Sequence, residues 1–213
     1  MSAPAALLDQ VTEELYARHT ADSDAASAAR REYEERRGKV HQDDELWEAW
    51  SAAFVEWYVV ERVAPGVGVP PAALSFRAMA PEDDRRTAVR ALVTSQRSLF
   101  EVRSIARGAI ELLDLLGGAM FHVAEQRQLH GVELGDVAEL RLVGVGGEVR
   151  FGRTFIYHPK SARGAIVERA REMLGKGASR RDVIDQIAHL RVRLTRYRHM
   201  PPSRVYELGS KLA

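Results

Sequence analysis

Seven histidines are the first residues to test for chemistry: His19, His41, His122, His130, His158, His189 and His199. Three imidazoles that meet at one point can hold a zinc ion. None of the seven stands in an H-E-x-x-H or H-x-x-x-H spacing. His122, His130 and His158 lie in or beside segments that read as strands. They could converge across a barrel, but nothing in their spacing requires it. His41 precedes Asp43, Asp44 and Glu45, which together read as an acidic helix start. With no cysteine there is no thiolate nucleophile, no disulfide and no Cys-type zinc site. Gly144-Val145-Gly146-Gly147 lacks the G-x-G-x-x-G spacing and precedes a strand, so it reads as a hairpin turn. Gly175-Lys176-Gly177-Ala178-Ser179 lacks the earlier glycine and strand of a phosphate loop and reads as a helix–helix turn. No serine sits in G-x-S-x-G or S-x-x-K. These patterns predict no catalytic residue, no cofactor and no metal ligand.

Charge offers a second kind of chemistry. The formal net charge is only +1. Residues 1–148 nevertheless hold 16 basic and 25 acidic residues, and residues 149–213 hold 15 and 5. An acidic front and a basic tail point to a nucleic acid or an acidic partner at one end, or to two parts that pair with each other. In the tail, Val183, Ile187, Leu190, Leu194 and Tyr197 step by 4, 3, 4 and 3, which forms an apolar seam on one helix face. At about 100° per residue, Arg180, Arg191 and Arg198 flank that seam on one side and Arg193 on the other. Arg181 and Arg196 point away from it. With four arginines within eight residues, Arg191, Arg193, Arg196 and Arg198 are the candidate residues for binding a protein partner or a nucleic acid. A purely phosphate-tracking helix needs no seam, which favours a protein partner or self-association.

The elements that must position these groups read as three regions. Residues 1–97 are helical, 98–158 form a small antiparallel β unit, and 159–213 are basic and helical, together forming one unit. Helices are expected over 4–19, 22–38, 43–63 and from Pro81, the last burying Val89, Leu92 and Val93. The 22–38 stretch, dense in Arg and Glu, reads as a solvated helix with little core face. Trp47, Trp50, Phe54 and Trp57 share one helical face and read as core, with a partner groove as the alternative. Pro65–Pro71 reads as a break between helices. Strands are expected at Leu99–Ser104, Ala109–Leu115, Met120–Glu125, Val137–Val143, Glu148–Phe151 and Thr154–Tyr157. Around Gly146-Gly147, Leu140, Leu142, Val149 and Phe151 alternate with Glu139, Arg141, Glu148 and Arg150, which predicts a hairpin with one buried face. Helices return at 161–175, after the Ser179/Asp182 capping box, and at Ser203–Lys211. The fold class is α+β: N-terminal helices, a small antiparallel sheet or barrel, and C-terminal basic helices.

The blocks Phe54-Val55-Glu56-Trp57-Tyr58, Leu99-Phe100-Glu101-Val102, Leu113-Asp114-Leu115, Leu134-Gly135-Asp136 and Arg141-Leu142-Val143 carry a resemblance. Over roughly residues 50–145 the chain resembles a group of bacterial proteins in which an aromatic helix precedes a small all-β unit. These are often found beside a zinc-binding tail of the SecA C-terminal type. The cysteines of that tail are absent here, so its metal does not carry over, and the resemblance implies no catalytic residue.

Composition bounds the remaining choices. The chain is 46% hydrophobic and 29% charged, which excludes wholesale disorder. No apolar run spans a bilayer, and Asp9, Glu13 and Glu14 break the pattern of a signal peptide. The expected location is a bacterial cytoplasm. The expected function is that of a non-enzymatic adaptor or regulatory protein acting through protein–protein contacts or as a homo-oligomer. A nucleic-acid-binding protein using the Arg-rich helix is the alternative. An enzyme or metal protein using the histidines near the β unit is the third reading.

Overall fold

The computed structural model describes residues 3–63, 65–125, 131–197 and 199–209. Five N-terminal helices come first: α1 (Ala3–His19), α2 (Ser23–Arg37), α3 (Trp47–Val60), α4 (Pro71–Ala78) and α5 (Arg86–Val93). Five strands follow: β1 (Gln96–Ala106), β2 (Ala109–Asp114), β3 (Met120–Ala124), β4 (Val137–Val145) and β5 (Glu148–His158). A 3-10 turn at Lys160–Ala162 leads into α6 (Arg163–Gly175), α7 (Arg180–Arg196) and α8 (Pro202–Leu208). The class is α+β, as the sequence pattern predicts.

Local chemistry accounts for most of these boundaries. The Asp22 carboxylate accepts the backbone N–H groups of Asp24 and Ala25 and so caps α2. Gly38 ends that helix at φ 93°, and a side chain there would press on Val192 at 3.3 Å. Ser179 and Asp182 form the expected capping box of α7. The helix expected over 43–63 begins only at Trp47, and other helix starts differ from the sequence reading as well. Pro71 opens α4 instead of continuing a break, because proline is suited to the first helical turn. The helix expected from Pro81 begins only at Arg86, after a turn in which Asp83 accepts the Arg85 N–H and guanidinium.

The strands close into a barrel in the order β1-β2-β3-β5-β4. All ladders are antiparallel except β3 with β5, which run parallel at Val123 and Val149. The sheet is thus mixed, a correction to the expected antiparallel unit. A long connection brings β4 back beside β1 before β5 closes the gap to β3. This is the Greek-key arrangement of five-stranded OB-type barrels. Glu148–Phe151 and Thr154–Tyr157 are one strand, β5, bent where the β4–β5 register shifts. At that bend Gly152 lets the helical layer approach. An added Cβ would meet Glu56 Oε1 at 2.8 Å and the Arg141 backbone oxygen at 3.2 Å.

Inside the barrel, Phe100, Val102, Ile110, Leu112, Val123, Ala138, Leu140, Leu142 and Phe151 form one apolar cluster. The opposite faces of β1, β4 and β5 are buried as well, because helices cover them. Val143 and Ile156 pack into the core of the N-terminal helices, which also takes Ala188 and Val192 from α7. Leu99 and Val137 pack against Ile166, Val183, Ile187, Leu190 and Tyr206. The three sequence regions therefore share their cores. Trp50, Phe54 and Trp57 are buried in the first of these, with Trp47 half-buried at its edge. Val89 and Leu92 are buried as expected, but Val93 is exposed. The α2 helix, expected to be solvated, buries Ala29, Tyr33 and Arg37.

Candidate functional site

The residues that could do chemistry meet where the helical layer, the barrel and α7 join. From α2 comes Arg37, from α3 Glu56, and just past its end Glu61. Arg97 comes from β1, Glu139 and Arg141 from β4, and Asp185 from α7. Six of these residues are buried, and the Arg97 side chain is only 8% exposed. Arg37 donates from Nη1 to Asp185 at 2.8 Å and from Nη2 to Glu139 at 2.7 Å. Arg97 donates to Glu139 at 3.0 Å, to Glu61 at 2.9 Å and to Asp185 at 3.1 Å. Arg141 donates to Glu61 and to the Ser95 hydroxyl. Glu56 accepts the Arg153 N–H at 2.7 Å and the Thr154 hydroxyl at 2.8 Å. Charges this far from water persist only when paired and hydrogen-bonded. Burial opposes ionisation of Glu61, but the guanidiniums of Arg97 and Arg141 outweigh it and hold its carboxyl down at about 2. Asp185 is held below the usual carboxylate range in the same way: burial opposes, and Arg97 and Arg37 outweigh it.

This network was missed by sequence reasoning. Glu139 and Arg141 alternate with apolar residues exactly as a solvated strand face would, so the expected single buried face was wrong. Their partners lie far off along the chain: Arg37 is 102 residues from Glu139 and 148 from Asp185. No local period carries that signal.

The segregated charge is largely paired within the chain. Arg153 reaches Asp9 and Glu13, Arg163 reaches Glu101, Arg180 reaches Asp114, and Arg191 reaches Glu45. Of the four predicted binding arginines, Arg191 is mostly buried and also donates to the Tyr157 carbonyl at 2.7 Å. Arg193 lies over the Tyr197 ring at 5.7 Å. Arg196 is exposed, and Arg198 lies outside the described residues. The structure does not gather the three described arginines into one site. The seam between them docks inside the chain: Val183, Ile187 and Leu190 are fully buried.

The histidines divide in the same manner. His122 is exposed on β3, and His130 lies outside the described residues. His158 is buried, with Nδ1 2.8 Å from the Tyr206 hydroxyl on α8. Among the described residues no three His, Asp or Glu side chains are placed to hold a metal ion. Burial, with Arg191 and Arg37 nearby, pushes His158 down to about 3. The unfolded chain therefore takes up a proton near pH 6.5 that the folded chain refuses, and stability falls as pH drops from about 6.5 toward 3. One such group costs about 1.4 kcal/mol per pH unit inside that window. Denaturant melts of wild type and His158→Gln between pH 6.5 and 4.5 should show the shallower pH dependence in the variant. Equal slopes would show that His158 is protonated in the fold.

Among the described residues no helix is long and apolar enough to cross a membrane. The chain matches no family model, no curated protein and no solved structure.

Proposed function

We propose that this protein is a non-enzymatic adaptor or regulatory protein that works through protein–protein contacts, and that the contact face is the outer surface of β2 and β3. The observation that supports this is the coverage of the barrel. Helices pack on β1, β4 and β5, whereas the outer face of β2–β3 is left exposed. The register sets Glu111 against His122 and Leu113 against Met120 on that face. Met120 is 55% exposed, beside a half-buried Leu113. Methionine suits such a role because its flexible thioether adapts to the surface it meets.

OB-type barrels that take oligonucleotides use this same face, with aromatic rings for stacking and cations for phosphates. Here Ala109, Glu111, Leu113, Met120, His122 and Ala124 include no phenylalanine, tyrosine or tryptophan and no arginine or lysine. The phenylalanine of β3, Phe121, packs with the barrel interior. The composition favours a protein partner over a nucleic acid.

The test places a photo-crosslinking residue at position 120 and follows crosslinks in the native cell. A specific crosslinked protein, or a crosslinked dimer of this chain, is expected, and Glu111→Arg should suppress it. Fluorescent DNA and RNA should not bind near physiological salt. Tight, salt-sensitive nucleic-acid binding that disappears when Arg191, Arg193, Arg196 and Arg198 are all changed to Ala would reverse the assignment.

A further inference from the structure

We infer a second, small-molecule site: an arginine-lined cavity between α3, β1, β4 and the start of α7 that takes the phosphate group of a small organic phosphomonoester. The cavity has a volume of about 400 Å³ and is lined by Arg97, Arg141, Arg180 and Arg181, with Glu61 as its one carboxylate. Its wall is therefore strongly cationic. Within the wall Glu61 holds Arg97 at 2.9 Å and Arg141. The further acids stand outside it: Glu139 and Asp185 on Arg97, Asp114 on Arg180 at 2.6 Å, and Glu56 at 3.7 Å from Arg141. None of those four carboxylates lines the cavity.

The arginines divide into a buried floor and an exposed rim. Arg97 and Arg141 are 8% and 2% exposed and locked by their ion pairs, so their positions are set before any ligand arrives. Preorganised guanidiniums suit phosphate, whose oxygens match their planar fork. Arg181 is 61% exposed and its ion pair with Glu61 is loose, at 3.8 Å. It has the freedom to turn onto an incoming anion. Arg180 and Arg181 are also the first two residues of the 17-residue α7, whose positive end adds to the attraction. Val60, Val93 and Ile184 complete the wall. That apolar surface, and a volume well beyond a bare phosphate ion, call for an organic body behind the phosphate.

The test titrates the full chain with inorganic phosphate and with ribose 5-phosphate at constant ionic strength, followed by calorimetry. Saturable binding of both is expected, tighter for ribose 5-phosphate. Arg181→Gln should weaken binding by about tenfold or more, while its melting temperature without ligand matches wild type. Arg180→Gln should also weaken it, with some loss of stability because the buried Asp114 loses its ion pair. Absence of saturable binding at millimolar concentrations, or equal affinity in wild type and Arg181→Gln, would overturn the site. Equal affinity for the two probes would overturn the organic half of the assignment and leave free phosphate as the ligand. The outcome is independent of the β2–β3 face, because none of these residues lies on it.

Discussion

Replacing Arg37 with alanine should destabilise the protein by about 3–5 kcal/mol, the usual cost of removing one member of a buried ion pair. Arg37 is fully buried and serves two carboxylates at once, Glu139 and Asp185. Its loss strips one partner from each, in a place water does not reach. The guanidinium also lies 5.1 Å from the ring centres of both Tyr33 and Trp50, so packing is lost with the charge. Denaturant unfolding measures the loss directly. Two controls separate charge from packing. Arg37→Met keeps much of the volume and should recover part of the loss. Adding Glu139→Gln to Arg37→Ala should cost less than the sum of the single changes, because the second change removes a buried charge that the first left with only Arg97 as its partner. The penalty should also shrink as pH falls through the carboxylate range, where protonation relieves the stranded charges. A loss under about 1 kcal/mol, typical of exposed pairs, would mean that water enters the network.

Phe54→Ala should cost about 3–5 kcal/mol as well, by opening a cavity in a packed core. Phe54 is the centre of an aromatic cluster that ties three helices together. Its ring lies 6.0 Å from Tyr16 on α1, 5.3 Å from Tyr33 on α2 and 6.1 Å from Trp57 on its own helix. Arg30 of α2 covers it at 4.9 Å. Tyr33 and Trp57 are themselves packed and cannot collapse into the gap without losing contacts of their own. For a chain of this length each kcal/mol lowers the melting temperature by about 2–4 °C. Thermal melts of Phe54→Ala and Phe54→Leu should therefore separate clearly, the leucine variant losing much less. An unchanged melting temperature in Phe54→Ala would place the aromatic stripe outside the core and return it to the list of partner grooves.

The two residues differ in how visible they were. Phe54 was legible because a helix face repeats every three to four residues, and Trp47, Trp50, Phe54 and Trp57 obey that repeat. The same rule gave Val183, Ile187 and Leu190 as a seam, and the turn chemistry of Gly146-Gly147 gave the β4–β5 hairpin. Arg37 was not legible. It sits in a run of Arg and Glu that local rules assign to solvent, and only two non-local carboxylates and two aromatic rings make its burial tolerable. Val93 failed the other way. It fits the apolar period of α5, yet α5 ends there and the side chain faces solvent at the mouth of the arginine-lined cavity.

By itself the sequence determined the class of the fold and most of its elements, because periodicity, caps and glycine turns act over a few residues. It also determined the charge asymmetry, since that is a matter of counting. Tertiary structure decided what the charges do. Barrel closure set the β1, β4 and β5 outer faces against helices, which turned Glu139 and Arg141 from surface residues into the middle of a buried network. The docking of α7 turned its seam inward and engaged Arg191 with Tyr157 and Glu45. It also left the outer face of β2–β3 exposed. Coulombic and hydrogen-bond partners are chosen by distance in space, and a chain brings residues 100 or more positions apart together only by folding.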